Sequence, residues 1–199
     1  MLIEPVVLEG ARVRLEPLTT AHQEALCTVA FDPELWRWTS VALATPEDVR
    51  AYIGKALEGQ AAGHELPFVT IDRVTAKVVG ATRFLNIDAA NRRVEIGYTW
   101  IARPWQRTTI NTEAKYQMLQ YAFETLSCIR VELKTDALNH KSRTAIRRIG
   151  AQEEGILRRH MIAQTGRIRD TVYYSILDSE WPGVKAELER KLALATSRP

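Results

Sequence analysis

The segment QRTTIN, residues 106–111, contains the residue types best suited to bind a charged ligand. It leads into a pattern typical of a helix, residues 111–124. The first N–H groups of a helix have no partners within the helix, and the helix dipole makes that end attractive to anions. An arginine and two threonine hydroxyls would add a counter-charge and donors for a pyrophosphate. The candidate anion site comprises Arg107, Thr108, Thr109, Ile110, Asn111 and Thr112.

The residues alone also leave open a simpler interpretation of this segment. It contains no glycine, the residue that lets a backbone wrap closely round a phosphate, so it is neither a Walker loop nor a dinucleotide fingerprint. Threonines at the start of a helix commonly serve only as caps. On this interpretation Arg107 is simply solvated.

Length and composition favour one globular domain over the whole chain, residues 1–199. Hydrophobic residues make up 46% and charged residues 26%, which argues against a disordered chain. The net charge of +3 is too mild to indicate a DNA-binding surface. No apolar stretch is as long as a membrane span, and the N-terminus lacks a signal-peptide pattern. We therefore predict a cytoplasmic protein with neither membrane nor DNA as a partner.

The cysteines and histidines indicate neither a disulfide framework nor a metal site. Cys27 and Cys128 lie in apolar surroundings, which is typical of buried thiols in a reducing cytoplasm. His64, His140 and His160 are scattered without ligand spacing, so no metal is predicted.

Periodicity and turn residues predict an α+β chain without repeats or linkers. The short breaks between the middle strands fit hairpins of an antiparallel meander. The helix after the polar segment crosses over between two strands, which can therefore lie parallel in a mixed sheet. The predicted strands cover residues 11–17, 66–72, 76–88, 92–102, 128–136, 151–162 and 167–177, and the predicted helices cover residues 20–30, 46–58, 111–124, 139–150 and about 180–194.

Four segments, in this order, resemble the GNAT superfamily of N-acetyltransferases. VEIGYTWI (residues 94–101) resembles the strand that carries the acetyl group, and WQRTTINTEA (105–114) resembles the pyrophosphate loop and its helix. NHKSRTAIRRIGA (139–151) and EEGILRRHMI (153–162) resemble the next helix and strand. More narrowly, the chain is similar to the RimJ/RimL type, which acetylates the N-termini of ribosomal proteins. The resemblance covers nearly the whole chain.

The resemblance implies a fold, a co-substrate and a reaction. The fold would be an α/β/α sandwich with a mixed, mostly antiparallel sheet of about seven strands. Acetyl-CoA would be the donor, and a primary amine would attack it directly in a ternary complex. The amine could belong to a protein N-terminus, including that of a ribosomal protein, or to a small molecule. A homodimer is compatible with this interpretation.

The resemblance also implies roles for individual residues. A backbone N–H near Trp100 or Ile101 would polarise the thioester carbonyl, and Asn139 would bind the pantetheine arm. Ser142 would stabilise the leaving thiolate, and Glu95 would take the amine proton through a water. The alternatives are that Ser142 is a serine on the helix surface and that Glu95 is an exposed carboxylate or a partner of a neighbouring arginine, Arg92 or Arg93.

Aromatic residues would line the acceptor pocket, which family members wall with their first helices and a later hairpin. Trp36, Trp38 and Tyr98 are the candidates here. Packing alone would account for either tryptophan, and we expect it to account for at least one of them.

Two departures from the superfamily pattern leave other functions open. Thr109 and Asn111 replace the two small residues of the phosphate loop, and Ile146 stands where many members have a tyrosine acid, so Ser142 would take that place. One alternative is a catalytically silent CoA-binding or sensing module on the same fold. Another is a ribosome- or RNA-associated binding protein that uses the arginines of the second half of the chain.

Overall fold

The alternating segments of the sequence form one mixed sheet in the computed structural model, which describes residues 3–196. Its strands are β1 (Leu8–Glu9), β2 (Val13–Pro17), β3 (Leu66–Asp72), β4 (Lys77–Asp88), β5 (Arg93–Ile101), β6 (Arg130–Asp136), β7 (Gln152–Ile162) and β8 (Ile168–Leu177). The order is β1-β2-β3-β4-β5-β6-β8-β7, and only the β5–β6 pair is parallel. The predicted α+β fold is confirmed. The sheet has eight strands rather than about seven because β1 is too short to show alternation.

Five helices cover the two faces of this sheet. They are α1 (Gln23–Ala30), α2 (Pro46–Ala61), α3 (Ile110–Gln120), α4 (His140–Arg148) and α5 (Trp181–Thr196). The predicted helix 111–124 ends earlier than expected, because a π turn at Tyr121–Thr125 follows α3. Within residues 3–196, no helix combines the length and apolar character that a membrane crossing requires.

The helix ends follow the capping residues of the sequence. Thr45 and Asp48 form a capping box at the start of α2, with Pro46 in its first position. Asn139 caps α4, because its Oδ1 accepts a hydrogen bond from the Ser142 N–H at 3.1 Å. Gly150 follows α4 with φ 96°, a left-handed conformation that glycine adopts without a steric penalty.

Two hydrophobic cores lie on opposite faces of the sheet. Helices α3 and α5 pack over one face, where Phe68, Phe84 and Met118 are completely buried. Helices α1 and α2 cover the other face only over β2–β5, where Leu26, Val69 and related residues form the second core. Within residues 3–196, polar side chains of β6 and β8 therefore have no helix above them on that second face.

Strands β5 and β6 separate after a short parallel contact. They pair only at Arg93–Glu95 with Arg130–Glu132. Beyond this point β6 continues to pair with β8 as far as Asp136, while β5 continues with β4 as far as Ile101. We call the resulting gap between residues 96–101 and residues 133–136 the split.

A buried carboxylate connects the sheet to the segment that precedes the polar loop. The Asp72 side chain is fully buried and accepts hydrogen bonds from Arg12 Nε at 2.6 Å, Thr75 Oγ1 at 2.9 Å and Trp105 Nε1 at 3.1 Å. Burial alone would raise the pKa of Asp72, but these donors lower it to about 2. The position of Trp105, and with it the start of the loop, therefore depends on this charge.

We expect Asp72→Asn to lower the free energy of unfolding by roughly 2 kcal/mol at pH 7. A carboxylate with a depressed pKa stabilises the fold above its unfolded pKa, and that stabilisation is lost as pH falls from about 4 to about 2. The difference between wild type and variant should therefore shrink between pH 7 and pH 3 in urea unfolding followed by tryptophan fluorescence. Asp178→Asn, at an exposed position, is the control. A difference that does not change with pH would contradict this account.

Candidate active site

The split brings most of the predicted site residues into one region. Strand β5 forms one side, with Glu95 at its last paired position and Tyr98 to Ile101 beyond it. The polar loop and α3 follow β5, and α4 follows β6, so both helix N-termini come after the strands that separate. The backbone of β5 beyond Glu95 has no strand along its β6 edge in the described part of the chain.

A β-bulge distorts β5 at the split. Ala81 pairs with Trp100 and Arg83 with Gly97, so Tyr98 and Thr99 together face Thr82. Tyr98 adopts φ 47°, a conformation that is uncommon for residues other than glycine and that recurs at functional sites.

Arg83 fixes the bulge on the face covered by α2. Its buried guanidinium lies 4.2 Å from the Tyr98 ring centroid and 4.8 Å from that of Tyr52, and its Nη1 donates to Glu65 Oε2 at 2.6 Å. Tyr98 nevertheless keeps 38% of its surface exposed. The predicted acceptor-lining tyrosine is therefore held in place and accessible.

The polar loop uses some of its predicted binding groups internally. Thr108 Oγ1 donates to the Trp105 carbonyl at 2.7 Å and accepts from the Ile110 N–H at 3.3 Å, so this threonine does serve as a cap. Thr112 Oγ1 accepts from Arg148 Nη2 at 2.9 Å. Thr109 is the N-cap residue by position, but its side chain makes no capping bond.

The remaining groups of the loop are available to a ligand. Arg107 is exposed, makes no ion pair within residues 3–196, and has φ 63°. Asn111 Oδ1 is an exception, because it is buried without a hydrogen-bond partner in the described chain and, as an acceptor, cannot donate to a phosphate oxygen. Arg148 brings a second guanidinium to the first turn of α3 through Thr112. Two cations and the open N–H groups of a helix start therefore meet at the predicted anion site.

Asn139 and Ser142 lie together at the start of α4. Capping occupies Asn139 Oδ1 and leaves its Nδ2 group without a partner in the described structure. Ser142 is half-buried, and its hydroxyl makes no hydrogen bond within residues 3–196. Both groups can therefore bind to a molecule that enters the split.

Glu95 is buried beside the split, with only 2% of its surface exposed. Its Oε2 accepts from Asn86 Nδ2 at 2.8 Å and pairs with Lys134 Nζ at 3.0 Å. Burial raises the pKa of Glu95, while Lys134 and Asn86 oppose that rise. The alternatives of an exposed carboxylate or an arginine partner are therefore wrong, because Arg93 pairs with Asp88 and Glu132 instead.

The second carboxylate oxygen of Glu95 faces Gly97. It has no hydrogen-bond partner in the described chain, and a Cβ atom added to Gly97 would lie 3.2 Å from it. The added atom would also lie only 2.9 Å from Leu85 Cδ2, so the missing side chain of Gly97 lets Leu85 and this oxygen pack closely against the strand, on the same sheet face, as the alternation of the strand predicts. The oxygen keeps its capacity to accept a hydrogen bond.

The two tryptophans of the predicted acceptor pocket have different environments. Trp36 is 3% exposed, donates its Nε1–H to the Ala30 carbonyl at 2.8 Å and packs against Trp100 with ring centroids 5.2 Å apart. Its ring therefore belongs to the core. Trp38 is half-buried between the guanidinium groups of Arg37 and Arg167, at 5.0 Å and 5.6 Å.

A buried lysine of α3 is the main polar residue that the sequence analysis did not identify. Lys115 Nζ donates to Thr99 Oγ1 at 2.6 Å, directly under the bulge. Its neighbours Ala114 and Met118 belong to the hydrophobic core, but a lysine beside them would normally extend to solvent. No group of three or more His, Cys, Asp or Glu residues within residues 3–196 is placed to hold a metal ion.

Comparisons with known proteins identify the family. The family model described as acetyltransferase (GNAT) domain matches residues 12–152. The chain belongs to the GNAT acetyltransferase family. This confirms the family and the enzyme class that the four sequence segments predicted.

Individual relatives agree with the family assignment. A Bacillus subtilis protein named "Putative ribosomal N-acetyltransferase YdaF" is 43% identical over 100 residues, which span 50% of this chain and 54% of that protein. A crystal structure of a GCN5-related N-acetyltransferase from Brucella melitensis has a TM-score of 0.89 and 34% identity, covering 94% of this chain and 86% of that one. RimJ of Mycobacterium smegmatis, in complex with CoA-disulfide, shares the fold, with a TM-score of 0.79 and 23% identity over 93% and 91% of the two chains.

If Glu95 accepts the amine proton, Glu95→Gln should lower kcat by about 100-fold or more. Only the carboxylate form can accept a proton, so the wild-type rate should fall as pH decreases through the raised pKa of Glu95. The variant should lose this inflection, and its Kd for CoA should not change. Rates of acetyl transfer across pH, together with calorimetry, provide the measurement.

Two further variants sharpen this test. Lys134→Met should move the inflection to higher pH, because the lysine charge lowers the pKa of Glu95. Glu132→Gln, on the neighbouring strand, should keep most of the rate. A slow Glu95→Gln enzyme with the wild-type inflection would contradict the assignment.

Proposed function

We propose that the protein transfers the acetyl group of acetyl-CoA to a primary amine, by direct attack of the amine in a ternary complex. The observation that carries the proposal is the split, which lies between two helix N-termini with unpaired polar groups. An extended arm can join the free edge of β5 in the manner of an added strand. The starts of α3 and α4 would supply polar groups to the two ends of that arm.

The proposed position of acetyl-CoA follows from these groups. The diphosphate binds at the start of α3, where Arg107 and Arg148 supply positive charge and the amides of residues 111 and 112 supply donors. Asn139 Nδ2 donates to the pantetheine arm, and Ser142 stabilises the leaving thiolate. A backbone N–H near Trp100 or Ile101 polarises the thioester carbonyl.

The acceptor amine approaches from the face that carries Glu95. The raised pKa of this carboxyl makes it a better base, and its oxygen without a hydrogen-bond partner in the described chain would accept the proton through a water. Tyr98 and Trp38 line the approach, and Trp36 supports the site from the core behind Trp100. An N-terminal amine, with a pKa near 8, needs less help from a base than a lysine does.

A peptide N-terminus is the acceptor that we favour, and a ribosomal protein is one source of it. The name of the Bacillus subtilis relative supports this choice. We place the protein in the cytoplasm, because its only two cysteines lie in apolar stretches of the sequence, which is typical of a reducing compartment. A homodimer remains compatible with the reaction.

The experiment is an assay of CoA thiol release with acetyl-CoA and a panel of amines. The panel contains N-terminal peptides, free amino acids, polyamines and aminoglycosides, and peptides are expected to react fastest. Calorimetry with CoA runs beside it. Binding without thiol release from any amine would favour the silent CoA-binding module, and no binding at all would overturn the proposal. Steeply salt-dependent RNA binding in place of CoA binding would favour the RNA-associated alternative.

Arg107→Gly should raise the free energy of unfolding by about 1 kcal/mol and weaken CoA binding about tenfold. Glycine relieves the left-handed backbone at φ 63°, while the loss of the guanidinium removes a charge-assisted contact to phosphate. Urea unfolding and calorimetry measure the two effects, which have opposite signs.

Arg92→Gly is the matched control. Arg92 is also exposed and left-handed, with φ 47°, but it lies in the turn between β4 and β5. It should gain similar stability and keep its CoA affinity. Equal CoA affinity in both variants would remove Arg107 from the phosphate site.

A further inference from the structure

Lys115 forms a closed polar cluster with two threonines beneath the bulge of β5. Its Nζ donates to Thr99 Oγ1 at 2.6 Å and to Thr82 Oγ1 at 3.1 Å, and the two hydroxyl oxygens are 2.7 Å apart. Lys115 is 5% exposed and Thr82 is 2% exposed, whereas Thr99 is exposed on the part of β5 that has left β6. The cluster therefore extends from the core to the split.

Within residues 3–196, no opposite charge compensates the lysine. Burial is the cause that lowers the pKa of Lys115 to about 7, and no carboxylate contributes. Glu113, on the same helix, accepts from the backbone N–H groups of Ala11 and Arg12. Glu95 and Arg83 belong to the opposite face of the sheet, where they pair with Lys134 and Glu65. A buried amine without a partner charge is costly for stability, which points to a role other than stabilising the fold.

The hydrogen bonds of the cluster show how Lys115 affects the two threonine hydroxyl groups. Because both threonine oxygens accept from Lys115, each hydroxyl hydrogen must find another acceptor. Thr82 has the Met118 sulfur at 3.7 Å. Within the described chain, Thr99 has only Thr82 Oγ1 and the more distant Gly97 carbonyl at 3.5 Å. Thr99 can donate this hydrogen to Thr82 Oγ1 within the cluster, and because Thr99 is exposed, an acceptor in the split can take the hydrogen bond instead.

We propose that Thr99 donates a hydrogen bond to a carbonyl oxygen of the acyl-pantetheine arm, and that Lys115 is the positioning residue that orients Thr99 for this contact. The inference rests on the proposed function, because it requires that the arm lie in the split. It adds a side-chain donor to the backbone donors of β5. It also explains why a lysine is buried in α3.

The test compares three variants by calorimetry with acetyl-CoA and with CoA. Thr99→Val removes the hydroxyl at constant shape and should weaken binding about fivefold to tenfold, the effect of one hydrogen bond. Thr99→Ser retains the hydroxyl and should bind as the wild type does. Lys115→Met removes the hydrogen bonds from Nζ to both threonines. It should leave the melting temperature unchanged or higher, and it should weaken binding about as much as Thr99→Val does.

The double variant and a control complete the design. Lys115→Met with Thr99→Val should bind no more weakly than Thr99→Val alone, because the lysine acts through the threonine. Thr70→Val, at another buried threonine of the sheet, should have no effect. A loss confined to acetyl-CoA would locate the contact at the thioester carbonyl, and an equal loss for CoA would locate it on the pantetheine.

The results separate this inference from the proposed function. If wild-type protein binds neither acetyl-CoA nor CoA, the proposed function fails and the inference fails with it. If wild type binds and Thr99→Val binds equally well, only the inference is overturned. It is also overturned if Thr99→Ser binds as weakly as Thr99→Val, or if Thr70→Val shows the same loss.

Discussion

The separation of β5 from β6 after three residue pairs is the constraint on which the site depends. Beyond these pairs, β5 continues to pair with β4, and β6 continues to pair with β8. The bulge at Tyr98 and Thr99 increases the local twist of β5 and turns it away from β6. Backbone donors and acceptors on the free edge are left without strand partners, at a cost in free energy that an extended ligand can offset. The proposed binding surface is thus a strand edge of β5 that no other strand of the described chain pairs with.

Buried polar groups, rather than packing alone, hold the two sides of the split. Arg83 stacks on Tyr98 from one face, and Lys115 contacts Thr99 from the other. Glu95 and Lys134 join the two strands at the point where they separate. Buried charges are poor sources of stability, because desolvation offsets much of their attraction. What such contacts provide at the split is a defined position for each group, which the proposed reaction requires.

The sequence predicted the elements well and the contacts between them poorly. Periodicity and turn residues located the long strands as well as α2 and α4, because these signals are local. The pairing of Glu95 with Lys134 was not predictable, since the two residues lie far apart in the sequence and meet only through the register of β5 and β6. Lys115 was missed for a related reason. A lysine in a helix normally extends its amine to solvent, and only the bulge of β5 places two hydroxyls within its reach.

The absence of glycine in the polar loop has a physical explanation in its backbone. Thr109, at the position of the first superfamily glycine, has φ −73° and ψ −15°, an ordinary helical conformation that any residue adopts. Asn111 lies inside α3, where glycine would weaken the helix. The residue that needs a left-handed backbone is Arg107, and there the chain has an arginine with φ 63°. Such strain costs about 1–2 kcal/mol. Arg107 is exposed and makes no ion pair within residues 3–196, so no contact of its side chain there offsets this strain. A bound anion that contacts the guanidinium would offset it.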